Sequence, residues 1–339
     1  MQQEDINNNK ILSFLKNHKI NEFIEGISVE ESIIYCIINA TTLNQEDSHI
    51  VANTIKNLLF QHYPDYKVSC SFIKQPLPKN TLPPKQSIPH IQHIIGIASG
   101  KGGVGKSTLS VNLAYALSKQ NIKVGILDAD LYGPSIHFML AGNNLNSNPE
   151  KLPLFYKEGI SYTSIALLLK QSEDPILLKA PRAVKLLKQL LLETPWQPLD
   201  VLIVDLPPGT GDINLHLALN YKLTGIISIC TPQKLAILDL QKALNMYRKT
   251  KTPILGIIEN MSSFICPKCL NISNIFDKHN LKQLAIEQSI PFLGDIPLDL
   301  NLRESTDNAQ FILNTSPNSA TSTSFQRIAN HLITNIEKA

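Results

Sequence analysis

The stretch that decides the fold is His93–Gln120, HIIGIASGKGGVGKSTLSVNLAYALSKQ. It opens on an apolar run of strand length, passes through a glycine-rich loop and ends in a segment with helical spacing. Inside it, Gly100-Lys101-Gly102-Gly103-Val104-Gly105-Lys106-Ser107 fits G-x-x-x-x-G-K-[ST], and strand–loop–helix is the context this motif requires. Glycines let successive backbone N–H groups turn inward around phosphate oxygens, and the helix N-terminus adds partial positive charge. Lys106 is placed to reach the β- and γ-phosphates and Ser107 to offer its hydroxyl to Mg²⁺. Gly100 to Thr108 are therefore the expected nucleotide-binding residues.

Short, nearly all-apolar strands alternate with amphipathic helices on the C-terminal side: KVGILDAD, LDVLIVDLPPG, LTGIISICTP, LAILDLQKALNMYRK and PILGIIENM. That alternation predicts an α/β fold, a P-loop NTPase with a mostly parallel sheet flanked by helices on both faces. Asp128 and Asp130 end one strand at the carboxyl edge, where open α/β sheets bind ligands. Spaced i, i+2, they suit Mg²⁺ and an attacking water. Asp205 follows the apolar run VLIV and is expected to hold Mg²⁺ with Ser107 and Asp128. Asp130 and Asp205 are the candidate catalytic residues of this edge. The loop Pro207–Asp212, PPGTGD, is stiff and then glycine-hinged, as a γ-phosphate sensor requires.

Five prolines in Gln75–Pro89 predict an extended linker. The expected division is a small α/β domain at 1–74 with the order α-β-α-β, a proline-rich linker at 75–91, and the ATPase domain at 92–339. The polar run 314–324, NTSPNSATSTS, reads as a surface loop before a last helix. At 339 residues, 43% hydrophobic and 17% charged, the chain can bury two cores. A net charge of +3 without like-charge blocks argues against nucleic acid or an anionic membrane as a partner. The polar MQQEDINNNK start and five cysteines point to a reducing, cytoplasmic setting rather than a disulfide framework. Cys36, Cys70 and Cys230 sit in apolar or strand-like runs and read as small buried hydrophobes.

Cys266 and Cys269, in FICPKCLN, are different. They follow the PILGIIENM strand at the carboxyl edge, and no second CxxC or HxxxH follows to complete a four-ligand site. Lys101 offers the missing piece, and a resemblance adds it to Asp130 and Asp205 as a candidate catalytic residue. GKGGVGKS resembles the deviant Walker A loop of the MinD/ParA/nitrogenase-iron-protein class, in which the extra lysine reaches the nucleotide of a facing subunit; the resemblance implies an ATP-dependent homodimer. A two-fold axis near the pair would turn two thiolates into four, the set a [4Fe–4S] cluster takes.

The motifs GKGGVGKSTLSVNLA, KVGILDADLYGPSIHFML, WQPLDVLIVDLPPGTGD, CTPQKLAILDLQKALNMYRK, PILGIIENMSSFICPKC and PFLGDIPLDLNLRES together resemble the Mrp/ApbC iron–sulfur cluster carrier ATPases over roughly 92–310. The resemblance implies ATP binding and hydrolysis, a bridging cluster on Cys266 and Cys269, apo iron–sulfur proteins as acceptors and scaffold proteins as donors. It also implies that Asn260 reads the adenine edge, with Pro297 nearby. Leu270, Asp277–Asn280 and Ala180-Pro181-Arg182 depart from the family's glycine-containing patterns at their positions. A positioning ATPase of MinD/ParA type is the alternative; it would use a basic DNA-binding surface or a terminal membrane-targeting helix, but the stripe of Phe325, Ile328, Leu332, Ile333 and Ile336 reads first as packing against the sheet.

Overall fold

The structure is a computed structural model that describes residues 8–16, 19–30, 32–41, 43–73, 84–131, 133–145, 152–167, 180–266, 268–269, 271–276 and 281–336. The chain divides into two compact units, 1–81 and 82–339.

The first unit packs α1 (Asn8–Lys16) and α2 (Gln45–His62) on a sheet of β1 (Ile24–Glu30), β2 (Ile33–Asn39) and β3 (Lys67–Ile73). Sheet order is β1-β2-β3, antiparallel then parallel. The order α-β-β-α-β adds a strand, β1, to the expected α-β-α-β. Its sequence IEGISVE hides it: Gly26 sits at a register shift, so the alternation that marks a strand is broken there. Asn44 caps α2 by accepting the Asp47 N–H at 2.8 Å. Ile11, Leu15, Ile34, Ile38, Ile55 and Leu59 form the core.

The second unit begins inside the proline-rich stretch. Gln86 pairs with Tyr221, and the Lys85 ammonium donates to the Thr250 carbonyl at 3.0 Å at the end of a helix. Residues 74–83 lie outside the described ones. The chain then runs through β4 (Ile91–Ser99), α3 (Lys106–Ser118), β5 (Val124–Asp128), α4 (Ile136–Leu140), β6 (Asn143–Asn144), β7 (Phe155–Lys157), β8 (Ile160–Ser164) and α5 (Ala180–Leu192). It continues with β9 (Leu199–Asp205), α6 (Asp212–Asn220), β10 (Gly225–Cys230), α7 (Lys234–Lys249), β11 (Ile254–Ile265), β12 (Ile272–Ser273) and α8 (Leu281–Glu287). The last elements are β13 (Phe292–Leu298), α9 (Leu300–Asp307), α10 (Ile312–Thr315) and α11 (Ala320–Ile336).

Strands β13-β11-β10-β4-β9-β5-β8 run parallel in that order. At one edge β7 and β6 extend the sheet antiparallel to β8, and at the other β12 folds back on the end of β11. The expected fold is the one observed. Period-two alternation assigns each strand to two cores: in β4, Ile95 and Ile97 face the layer of α3 and α11, while Ile94 and Ala98 face that of α5 and α6.

The run 314–324 is a surface turn only over 316–319, between α10 and α11. α11 starts at Ala320, and Thr321 and Ser322 are fully buried. Their polarity is absorbed locally: the Ser322 hydroxyl donates to the Ser316 carbonyl at 2.7 Å, and the Thr321 hydroxyl to the Asp299 carboxylate. Phe325, Ile328, Leu332 and Ile336 are buried in the core against α3 and β13, with Ile333 packed at its margin, so this stripe has no free face for a membrane. Among the described residues no helix is long and apolar enough to cross a membrane.

Candidate functional site

All the expected nucleotide residues converge at the carboxyl edge of the sheet. Parallel β4, β5 and β9 stand side by side, so the loops leaving them share one space: Asp128 of β5 is in register with Asp205 of β9, which neighbours Ile97 of β4. The loop after β4 needs its glycines. Gly103 and Gly105 have φ of +79° and +86°, and a Cβ on Gly105 would lie 2.3 Å from Asn260 Nδ2. A Cβ on Gly100 would strike the α7 backbone at Asp239 and Leu240. The result is a backbone cradle with N–H groups and no side-chain bulk.

Lys106 and Asp205 form the polar centre. Lys106 Nζ stands 2.8 Å from Asp205 Oδ2 and 3.4 Å from Asp130 Oδ2. The other donors to Asp205 are hydroxyls, Ser107 Oγ at 2.6 Å to Oδ2 and Ser110 Oγ at 2.7 Å to Oδ1. Asp205 and Ser107 offer only oxygen atoms as ligands, which suits a hard divalent cation such as Mg²⁺. Ser110 was not apparent from the motif; it lies one helical turn beyond Lys106, on the face that α3 turns to the sheet.

Asp128 is fully buried and braces a loop. Its oxygens accept the backbone N–H of Asp130 at 3.2 Å and of Ile136 at 3.1 Å, and the Ser164 hydroxyl at 2.9 Å. Burial, reinforced by the neighbouring Asp205 charge, pushes its carboxyl up to about 7. The bonds hold the Asp130 loop in position above Lys106 and engage both Asp128 oxygens, so Asp128, expected beside Mg²⁺, stands here as a brace of the loop. Lys101 is exposed at the opening of the glycine loop. On the far side, the Asn214 amide donates to the carbonyls of Pro207 at 3.0 Å and Gly209 at 2.7 Å, and so fixes the PPGTGD loop. Gly209 N–H in turn donates to Ser99 O at 2.7 Å, tying that loop to β4.

Asn260 comes from β11. Its amide donates to the Val104 carbonyl of the glycine loop at 2.8 Å. Next to it opens a cavity of about 310 Å³ lined by Gly105, Thr108, Asn260, Met261 and Pro297, with Arg303 and Asp307 at its rim. The structure thus brings together Thr108, Asn260 and Pro297. Met261, Arg303 and Asp307 carried no signal in the sequence.

Beyond Asn260, β11 bulges. Five residues of β11, from Asn260 to Phe264, oppose three of β13, Ile296 to Leu298, and Met261 takes a left-handed φ of +56°. The strand then reaches Ile265, turns through Cys266 to Cys269, and returns as β12, with Cys266 N–H donating to Asn271 O at 3.0 Å. Cys266 is half-buried and Cys269 exposed. Backbone N–H groups of Cys269 and Lys268, and then the Cys269 thiol, lower the Cys266 thiol. Pro267, Leu270 and Asp277–Asn280 lie outside the described residues. Among the described residues no three of His, Cys, Asp and Glu gather as a metal site, and none of them joins the thiol pair as a third ligand.

A family model described as ParA, NUBPL iron-transfer P-loop NTPase, matches residues 90–333. An iron-sulfur cluster carrier protein of Aquifex aeolicus is 41% identical over 248 residues, 72% of this chain and 68% of that protein. An iron-sulfur cluster transfer protein NUBPL of Dictyostelium discoideum is 40% identical over 258 residues, 75% of this chain and 79% of that protein. A solved nucleotide-binding protein of Archaeoglobus fulgidus, in complex with ADP, is 37% identical with a TM-score of 0.56, covering 65% of this chain and 88% of that one. The MinD cell division protein of a MinC:MinD complex from Aquifex aeolicus shares the fold, with a TM-score of 0.53 at 17% identity over 71% of this chain and 96% of that one.

Proposed function

The chain belongs to the ParA-type, NUBPL iron-transfer family of P-loop NTPases, and from that premise we propose that it carries iron–sulfur clusters to apoproteins under control of ATP binding and hydrolysis. The observation that carries this reading is the strand β11. It supplies Asn260 to the glycine loop and ends at Ile265, directly before Cys266 of the thiol hairpin. Nucleotide and cargo therefore share one element.

ATP is the substrate of the edge built by β4, β5 and β9. Backbone N–H groups of Gly100–Ser107 would cradle the phosphates, with Lys106 swinging from Asp205 to the β- and γ-oxygens. Ser107 and Asp205 would hold Mg²⁺, which supplies charge neutralisation at the phosphates when bound. Asp128 braces the loop that places Asp130 near the attacking water. Lys101, exposed at the loop, would reach the nucleotide of a second copy.

The cargo is a [4Fe–4S] cluster held by Cys266 and Cys269 of two copies. Exposed apolar side chains support a two-fold contact at this edge: Phe138 on α4, Leu215 on α6 and Leu235 on α7 are 75%, 37% and 66% exposed. α4 and α6 each follow one of the site loops, and the α7 backbone packs against Gly100 of the glycine loop. Acceptors are apo iron–sulfur proteins and donors are scaffold proteins, in a reducing cytoplasmic compartment.

Coupling is read through Met261, which walls the nucleotide cavity and sets the bulge that aims the hairpin. The test is cluster transfer from reconstituted protein to an apo-ferredoxin with ATP, ADP, a non-hydrolysable analogue and no nucleotide. Rates that differ with nucleotide, and lose that difference in Met261→Gly, support the reading. Identical rates in all four conditions sink the coupling.

A further inference from the structure

Away from the nucleotide edge, the first unit holds a second pair of thiols that cluster carriage does not use. Cys36 of β2 and Cys70 of β3 are direct partners in the parallel register of these strands. Register partners project to the same face, here the one packed on by α1 and α2. Cys36 is fully buried among Ile34, Ile38, Ile55 and Leu59, and Cys70 packs half-buried at the margin of that cluster. The sequence reading of both as inert small hydrophobes misses their pairing, which only the register reveals.

Distance decides what the pair can do. Adjacent strands lie about 4.7–4.9 Å apart, inside the Cα window of about 4.4–6.8 Å that a disulfide spans. The two can be joined with little backbone movement. Among the described residues no third His, Cys, Asp or Glu joins them, which leaves two-thiol chemistry rather than a metal site. β3 is the edge of its sheet, so a small reagent can approach Cys70 from the side while Cys36 stays enclosed.

The two sulfurs also differ in reactivity. A hydrogen bond from Cys36 lowers the Cys70 thiol, and the Lys56 ammonium on α2 favours its thiolate further. The same hydrogen bond, with burial, holds the Cys36 thiol up. Cys70, half-buried on the edge strand, is placed to attack, and the fully buried Cys36 to resolve.

We propose that Cys36 and Cys70 are a dithiol–disulfide couple that reacts with small disulfides of the glutathione class. The Cys70 thiolate attacks one sulfur of the reagent, forms a mixed disulfide and expels one reagent thiolate. Cys36 gives its proton to that thiolate, attacks the Cys70 sulfur and expels the second. The protein loses two electrons and two protons, and the reagent becomes two thiols. The new bond closes residues 36–70 into a loop around α2, ties the edge strand to the centre of the sheet, and stabilises the unit chiefly by restricting its unfolded chain.

The experiment uses the full chain with Cys266→Ser and Cys269→Ser, which removes the other reactive pair. After oxidised glutathione at pH 8 and alkylation of free thiols, peptide mass mapping should find Cys36 linked to Cys70, with Cys230 alkylated only on unfolding. The thermal midpoint of the first unit should rise and return with a reducing agent. Adding Cys36→Ser should leave a stable glutathione adduct on Cys70, and adding Cys70→Ser should leave neither adduct nor link. A stable Cys70 adduct in the chain that keeps Cys36, or both thiols unmodified, overturns the couple. An adduct on Cys36 in the Cys70→Ser chain overturns the assigned order.

Discussion

Lys106 and Asp205 pair out of contact with water: Nζ lies 2.8 Å from Oδ2, and the side chains are 7% and 0% exposed. Removing one partner of such a pair leaves a buried charge and costs about 3–5 kcal/mol. The hydroxyls of Ser107 and Ser110 still bond to Asp205 and reduce that loss. Lys106→Ala should therefore lower the denaturant midpoint of the second unit as well as abolish nucleotide binding. Lys101→Ala, at an exposed position, should leave the midpoint within about 0.5 kcal/mol, keep ATP affinity and depress turnover. Urea unfolding and calorimetric titration with ATP separate the two. A Lys101→Ala chain that binds ATP poorly yet hydrolyses the bound fraction normally refutes the facing-subunit role.

Gly105 is held at φ +86° against Asn260, with no room for a Cβ. Gly105→Ala should break the bond from Asn260 to the Val104 carbonyl and narrow the adjoining cavity. ATP affinity should fall at least about tenfold, a loss of ~1.4 kcal/mol. Asn260→Ala removes the same bond without backbone strain, and should weaken binding less. Equal affinity for Gly105→Ala and the parent chain would show that the cradle tolerates bulk there.

What the sequence disclosed follows from how local each signal is. The glycine loop, Asp205 and the thiol pair are read within a few residues, because a strand, a turn and a helix start fix them. Ser110, Ser164, Asn214 and Met261 were invisible because each acts on a residue brought in by another strand or loop. The first turn of α11 failed for a related reason. Thr321 and Ser322 look like loop residues until carbonyl and carboxylate acceptors from neighbouring elements bury them. β1 was hidden by its own bulge at Gly26.

Glu259, beside Asn260, is in register with Asp295 on β13. Burial first, and then the Asp295 charge, push its carboxyl from the ordinary 4.5 up to about 7, against a hydrogen bond from the Leu281 N–H. A folded carboxyl that keeps its proton longer than the unfolded one makes stability fall as pH rises from about 4.5 to about 7. Glu259 is partly exposed, so screening limits the effect to about 1–2 kcal/mol. Glu259→Gln keeps an acceptor for Leu281 and should raise the midpoint at pH 8 while leaving pH 5 nearly unchanged. Urea midpoints at both values check the sign; a variant less stable at pH 8 than the parent contradicts it.

Cys266 and Cys269 offer two sulfurs, and no third ligand stands near them among the described residues. On the proposed reading the pair shares a cubane cluster, which takes four thiolates, and that reading calls for two chains per cluster. Reconstituted protein should contain four iron atoms per two chains, and light scattering should report a dimer that dissociates when a chelator removes iron. Cys266→Ala or Cys269→Ala should each abolish the brown thiolate-to-iron absorbance and the iron-dependent dimer. Cys230→Ala changes a buried thiol that burial pushes up to about 12, and should change neither. A dimer held by ATP through Lys101 is separable, because it should persist in the Cys266→Ala chain when hydrolysis is blocked. Four irons on a single chain, or a cluster that survives loss of Cys266, would end the bridging arrangement and leave the nucleotide dimer standing.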